Sequence, residues 1–181
     1  MKLLAKKIAA IIWLTFLKVM NRLSYKYYLT HYPKYLRWTG IRFTGNIENT
    51  GFISYSAKFD SFSYANHFEI GEDTIISGGV RFLVHDYSIA TALRVVDKVE
   101  KENLPHFIKD IKIGNNCFIG MGSIILPGTV IGDNTVIGAG SVVKGNIPPN
   151  VVVAGNPARI VKTIEEYGNL HKEKMDYIVR K

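Results

Sequence analysis

The stretch from Ile113 to Val143 reads IGNNCFIGMGSIILPGTVIGDNTVIGAGSVV. Its aliphatic residues Ile113, Ile119, Ile125, Ile131, Ile137 and Val143 stand six apart every time. Four places after each of the first five comes a small residue: Cys117, Ser123, Thr129, Thr135 and Ser141. A six-residue period fits neither an amphipathic helix nor alternating strands, whose periods are 3.6 and 2. It fits a solenoid of triangular cross-section, in which each side takes six residues. A short strand aims the aliphatic residue inward, and the small residue lets the chain turn. Asn115-Asn116 and Asp133-Asn134 suit the unusual backbone angles of tight corners. Cys117 occupies the slot of four Ser or Thr residues and reads as a corner filler.

Worked outward toward the N-terminus, the period recurs at Ile41, Ile47, Ile53 and Phe59, slips between Tyr64 and Glu69, and resumes at Ile70, Ile76 and Phe82. Phe107 to Lys112 can supply the side that precedes Ile113. Ser88 to His106 then lies outside the coils as a protruding loop, 88–106, that departs just after His85. A long segment without the repeat inside a regular array reads as an active-site loop. Beyond Val143, Ile147-Pro148-Pro149-Asn150 closes the repeats, because proline cannot donate to a strand ladder. Val151 to Pro157 makes one more short strand and a turn. Thr163-Ile164-Glu165-Glu166 has capping-box spacing and predicts a C-terminal helix to about Val179. The expected organisation is 1–40, 41–162 and 163–181: an N-terminal segment, the solenoid and the C-terminal helix.

The 181 residues suit one folded unit, and 47% hydrophobic content excludes general disorder. The net charge of +8 is concentrated: residues 1–47 hold nine Lys or Arg and no Asp or Glu. Residues 3–23 predict an amphipathic helix with Leu4, Ile8, Ile11, Ile12, Phe16, Val19 and Leu23 on one face, and Lys7, Lys18, Asn21 and Arg22 away from it. Its apolar core, Ile8 to Leu17, is short of the roughly 20 residues that span a bilayer. Lys2, Lys6 and Lys7 ahead of an apolar run resemble a signal peptide, but no small-x-small cleavage site follows, so the segment reads as retained. Two readings of the helix stand open: an interfacial helix on an anionic membrane, or a cap on the solenoid's open end. Tyr25 to Trp38 interleaves aromatics with bases and is interrupted by Pro33. Without a recognition motif it does not point to nucleic acid. The single cysteine forbids an intrachain disulfide.

Ile113 to Gly120, Pro127 to Gly132, Gly138 to Val143 and Pro148 to Arg159 together resemble the hexapeptide-repeat acyltransferases. The resemblance is strongest to the branch with galactoside, maltose and xenobiotic acetyltransferases and the O-acetyltransferases of capsule and exopolysaccharide synthesis. It covers roughly residues 41–165. It implies a mainly β fold, a left-handed parallel β-helix, with acetyl-CoA as donor, no metal, and a homotrimer whose sites lie between neighbouring solenoids. It also implies a catalytic histidine just before the long loop, and His85 in Leu83-Val84-His85-Asp86-Tyr87 matches. A sugar hydroxyl attacking a thioester needs a base near neutral pKa, which an imidazole supplies. For the acceptor, a carbohydrate or lipid-linked sugar, the resemblance points to Asn66, His67, Asp86 and Phe118. For the donor it points to Gly120, Gly122, Gly138 and Ala139 along the pantetheine arm, with Lys144, Arg159 and Lys162 for the phosphates. Phe118 stands where many relatives carry Trp.

The expected activity is acetyl-CoA-dependent O-acetylation of a carbohydrate in surface polysaccharide biosynthesis, in the cytoplasm or peripherally at the inner membrane face. A serine O-acetyltransferase and a non-catalytic scaffold are the alternatives. A zinc carbonic anhydrase of the same architecture needs a histidine pair five apart, and position 90 is Ala90.

Overall fold

The computed structural model describes residues 2–96 and 103–179. Two helices open the chain, α1 (Lys2–Leu23) and α2 (Tyr25–Thr39). Five coils follow. The first holds β1 (Arg42–Phe43), a lone bridge at Ile53 and β2 (Lys58–Phe59), and the second β3 (Phe68–Ile70), β4 (Ile75–Ile76) and β5 (Arg81–Phe82). An excursion then carries β6 (His85–Asp86), α3 (Ser88–Val96) and β7 (Phe107–Ile108). The third coil is β8 (Ile111–Ile113), β9 (Phe118–Ile119) and β10 (Ile124–Ile125); the fourth is β11 (Val130–Ile131), β12 (Val136–Ile137) and β13 (Val142–Val143). The last holds β14 (Asn146–Ile147) and β15 (Val151–Gly155), after which β16 (Ala158–Thr163) folds back antiparallel and α4 (Ile164–Lys174) ends the fold.

Parallel pairing stacks these strands into three faces. The first is β1-β3-β8-β11-β14, the second β4-β9-β12-β15, and the third β2-β5-β10-β13. The inward residues of the six-residue period are sealed: Ile119, Ile125, Ile137 and Val143 are fully buried and Ile131 nearly so. Each contributes about 1.5–3 kcal/mol by leaving water. Ser123, Thr129, Thr135 and Ser141 are buried too, and their hydroxyls donate to carbonyls at the corners. Between the first and second faces, Asn116, Asn134 and Asn150 take positive φ, and their amides chain together at 2.9 Å from coil to coil. Asparagine suits this place because it tolerates the left-handed region and bonds its own repeat.

A short insertion enters the first coil between the first and second faces: the 3₁₀ turn Ile47–Asn49 puts ten positions between Phe43 and Ile53 where their partners Ile70 and Ile76 are six apart. Ile47, contrary to the period, therefore does not lie on a solenoid side. Two further insertions enter at the corner between the third and first faces. A 3₁₀ turn at Phe62–His67 fills it in the first coil, where the register slips, so that Phe59 pairs with Phe82. The excursion from His85 fills it in the second. Contrary to the sequence expectation, Phe107 to Lys112 does not form a solenoid side. Phe107 and Ile108 pair antiparallel with Asp86 and His85 and keep exposed side chains, and Ile111–Ile113 is itself the next side. Part of the loop expected over 88–106 is helical, Ser88–Val96; positions 97–102 lie outside the described residues. The C-terminal helix has the expected Thr163–Glu166 capping box but stops at Lys174, where Met175 turns left-handed, rather than running to Val179.

Tyr25 to Thr39 is helical despite Pro33. Ser24 caps its N-terminus, and the Pro33 ring is buried, so packing offsets the lost backbone bond. Helix α2 seals the first coil: the Tyr28 hydroxyl donates to the Ile53 carbonyl at 2.6 Å, and Tyr28, Tyr32 and Tyr35 stack in sequence. Helix α1 lies on α2 through Ala10, Trp13, Leu14 and Leu17; Leu17 is fully buried and Trp13 packs edge-on to Tyr35 at 5.5 Å.

Burial pushes the Tyr28 and Tyr32 phenols far above their ordinary 10.0. Groups whose folded pKa is raised contribute stability that is present below the unfolded value and lost as pH rises past it. Tyrosine absorbance in an alkaline titration should therefore show these phenols ionising only with loss of the cap's helical signal. Tyr28→Phe should lower stability by about 1–3 kcal/mol in urea unfolding, because it leaves the Ile53 carbonyl unpaired.

Candidate active site

The corner between the third and first faces gathers the titratable side chains. Asp60, one residue past β2, is almost sealed, with 6% of its side chain exposed. Its Oδ1 accepts the Ser61 N–H at 2.7 Å. Its Oδ2 accepts the Val84 N–H at 2.9 Å and Nδ1–H of His85 at 2.6 Å. A carboxylate held by backbone amides and an imidazole fixes the His85 tautomer, leaving Nε2 as the free base. Tyr64 lies against the His85 ring at 5.1 Å and Tyr87 meets it edge-on at 5.6 Å, with His106 stacked beyond Tyr87 at 4.5 Å.

A second imidazole–carboxylate pair adjoins the first. His67 Nδ1 bonds Asp110 at 2.7 Å, Arg42 reaches Asp110 at 3.4 Å and Glu69 at 3.5 Å, and Tyr64 stands between the two histidines, 6.1 Å from His67. His67 and Arg42 hold the Asp110 carboxyl below its usual range. Asn66 is exposed in the same 3₁₀ turn. Asp86 follows His85; the backbone N–H and hydroxyl of Ser88, with Lys144, hold its carboxyl low. Asp86, Ser88, Phe107, Lys109, Leu126, Pro127 and Lys144 line a cavity of about 200 Å³.

The structure thus brings His85, Asp86, Asn66 and His67 to one corner. Lys144, expected with the donor phosphates, also stands here, beside Asp86. Phe118 lies elsewhere, on the second face. Gly120, Gly122, Gly138 and Ala139 form the corner between the second and third faces, across the third face from His85. There the coils touch: a Cβ on Gly120 would stand 2.5 Å from the Ala139 nitrogen, whereas at Gly122 and Gly140 it would meet open space. Arg159 and Lys162 are on β16, at the C-terminal end of the second face. Cys117 is buried, and burial pushes its thiol up, which removes it as a nucleophile.

Sequence reasoning missed Asp60, Tyr64 and Asp110. Asp60 is separated from its partner by 25 positions, a spacing set by the inserted 3₁₀ turn, so counting in sixes does not bring it under His85.

Residues 110–145 match the family model described as bacterial transferase hexapeptide (six repeats). The chain carries hexapeptide repeats of the bacterial transferase type. Protein CapG of Staphylococcus aureus is 43% identical over 109 residues, 60% of this chain and 60% of CapG. The putative lipopolysaccharide biosynthesis O-acetyl transferase WbbJ of Escherichia coli K12 is 32% identical over 98 residues, 51% of this chain and 48% of WbbJ. The chain therefore spans only about half to three-fifths of these curated relatives. Among solved structures, a galactoside acetyltransferase in complex with coenzyme A superposes with a TM-score of 0.56 at 25% identity, covering 96% of this chain and 89% of that one. The hexapeptide solenoid here is the left-handed parallel β-helix of such acetyltransferases, flanked by helices at both ends.

Proposed function

We propose that this hexapeptide-repeat chain is an acyltransferase that moves an acetyl group from acetyl-CoA to a hydroxyl of a carbohydrate, in the making of a surface polysaccharide. The buried Asp60–His85 pair carries the reading. The long superposition on a galactoside acetyltransferase with bound coenzyme A supports the donor, and similarity to WbbJ supports the acceptor class.

In this mechanism Nε2 of His85 takes the proton of the acceptor hydroxyl as its oxygen attacks the thioester carbonyl. Asp60 holds the ring and stabilises the imidazolium that forms. A backbone N–H carries the oxyanion. Collapse of the tetrahedral intermediate breaks the C–S bond, and the imidazolium returns its proton to the departing thiolate. Asn66, His67, Asp86 and Tyr64 contact the acceptor. The glycine corner lets the pantetheine arm lie against the coil, and Arg159 and Lys162 meet the phosphates. Because acetyl-CoA is a cytoplasmic metabolite, the reaction is a cytoplasmic one.

Separation of the glycine corner and Phe118 from His85 within one protomer favours a site completed by a neighbour in a homotrimer. The second face suits that contact, since Ile75, Phe118, Ile160 and Val161 are exposed on its strands and on the β16 hairpin that extends it.

Thiol release from acetyl-CoA with a panel of sugars and nucleotide sugars tests the activity. His85→Ala should cut kcat by about 10²- to 10⁴-fold with the KM for acetyl-CoA nearly unchanged; near wild-type turnover would remove the mechanism. Asp60→Asn should lower kcat in the same direction. Replacing Arg159 and Lys162 together should raise the KM for acetyl-CoA, and a rise confined to the acceptor's KM would overturn their assignment. Sedimentation equilibrium at micromolar concentration should give a trimer, dissociated by Phe118→Glu; a monomer throughout would refute the shared site.

A further inference from the structure

The sequence leaves α1 as either a cap or a membrane helix, yet the two uses occupy opposite sides of it. Ala10, Trp13, Leu14 and Leu17 point inward onto α2 and the first coil. The opposite side, which in an ordinary surface helix would be polar, carries Leu4, Ile8, Ile12, Phe16, Val19 and Leu23. These are between 48% and 75% exposed, Leu23 most of all. They recur at intervals of three and four, so they form one continuous stripe along the helix. A helix apolar on both sides with a partner on one side has a second partner to find.

Charge identifies it. Lys7, Lys18 and Arg22 flank the stripe, and residues 1–47 contain nine bases and no acid. Lys18 and Arg22, with Thr15, Val19, Leu23 and Tyr55, line a surface groove of about 400 Å³ beside the stripe. That groove offers two cations and the Tyr55 hydroxyl to a phosphate, the Thr15 hydroxyl being bonded to the Ile11 carbonyl at 2.8 Å, while its Val19 and Leu23 wall is continuous with the apolar face. A second copy of this end of the molecule would bring like charges together. No helix among the described residues is long and apolar enough to cross a membrane, so docking of α1 on lipid means lying in the interface plane rather than spanning it.

We infer that α1 docks the protein on an anionic phospholipid surface, with the Leu4–Leu23 stripe in the headgroup boundary and lipid phosphates against Lys18 and Arg22, while its other side stays on the cap. The inference does not rest on the acyl-transfer reading. It has a consequence for the corner site. The Lys6 amine lies 5.3 Å from the Phe62 ring, and Phe62 begins the 3₁₀ turn that holds Tyr64 and His67. That contact is on the inner side of α1, so the docked helix would hold the turn one helix thickness from the surface, on the same end of the molecule.

Co-sedimentation of the full chain with phosphatidylcholine–phosphatidylglycerol vesicles, and with phosphatidylcholine alone, tests the inference. The chain should pellet with the anionic vesicles, and added salt should weaken its binding. Ile8→Gln/Ile12→Gln should lower the partition at least about tenfold with the melting temperature unchanged, since both side chains lie on the outer face. Should that variant melt early, Lys18→Gln/Arg22→Gln, which leaves the stripe intact, should still lose binding to anionic vesicles and its salt dependence. Wild-type chain left in the supernatant, or both variants pelleting like wild type, would overturn the inference. So would a particle whose mass falls by half in the Ile8/Ile12 variant, because a second copy would then be what covers the stripe.

Discussion

Every strand in this solenoid must give its backbone groups to the coil above and the coil below. The parallel pairing is continuous: Phe43 to Ile70, Ile70 to Ile113, Ile113 to Ile131 and Ile131 to Ile147 along one face alone. An unpaired buried amide costs about as much as a lost hydrogen bond, so no residue can be added within a strand without breaking its pairing to the coil above and the coil below. Extra chain is tolerated only at corners, and here the corner between the third and first faces takes the two largest pieces. That restriction makes the candidate site: the 3₁₀ turn brings Tyr64 and His67, the excursion brings His85 and Asp110, and both open onto the same edge.

The same rule leaves two ends with unpaired groups, and the chain closes them differently. At the C-terminal end β16 folds back on β15 and α4 follows with its Thr163–Glu166 capping box. At the N-terminal end the cover is α2, whose tyrosines bury aromatic surface over the first coil and place one hydroxyl on the Ile53 carbonyl. Closing that end requires only α2 and the inner side of α1. The apolar outer side of α1 therefore calls for an explanation outside the fold, and the basic groove along its flank supplies one.

Within the site, burial does the sorting. Asp60 is sealed and its carboxylate oxygens are occupied by amides and one imidazole, so it acts on His85 and on nothing in solvent. His67 and Asp110 are more open and tied to Arg42, an arrangement suited to holding a polar acceptor rather than driving proton transfer. Tyr64 stands between the two histidines, 5.1 Å from His85 and 6.1 Å from His67, and in the proposed reaction it would wall the acceptor.

From the second coil on, the six-residue period by itself determined the solenoid, its inward isoleucines, its small corner residues and the position of His85 at the mouth of the long insertion, because each depends on spacing along the chain. In the first coil it misplaced Ile47, which sits in a turn, and Phe43 rather than Ile41 pairs with Ile70. The C-terminal capping box is local and was legible for the same reason. What sequence could not decide depends on distances across coils. Asp60 meets His85 only after the 3₁₀ turn has lengthened the first coil, and Asp110 meets His67 across 43 positions. Pro33 argued against a helix that aromatic burial nonetheless sustains, and Phe107–Ile108 obeyed the apolar pattern of a solenoid side yet paired with the insertion's first strand. The direction in which α1 faces was likewise undetermined: its sequence places apolar residues on two sides, and only packing against α2 decides which is buried and which is left to meet a surface.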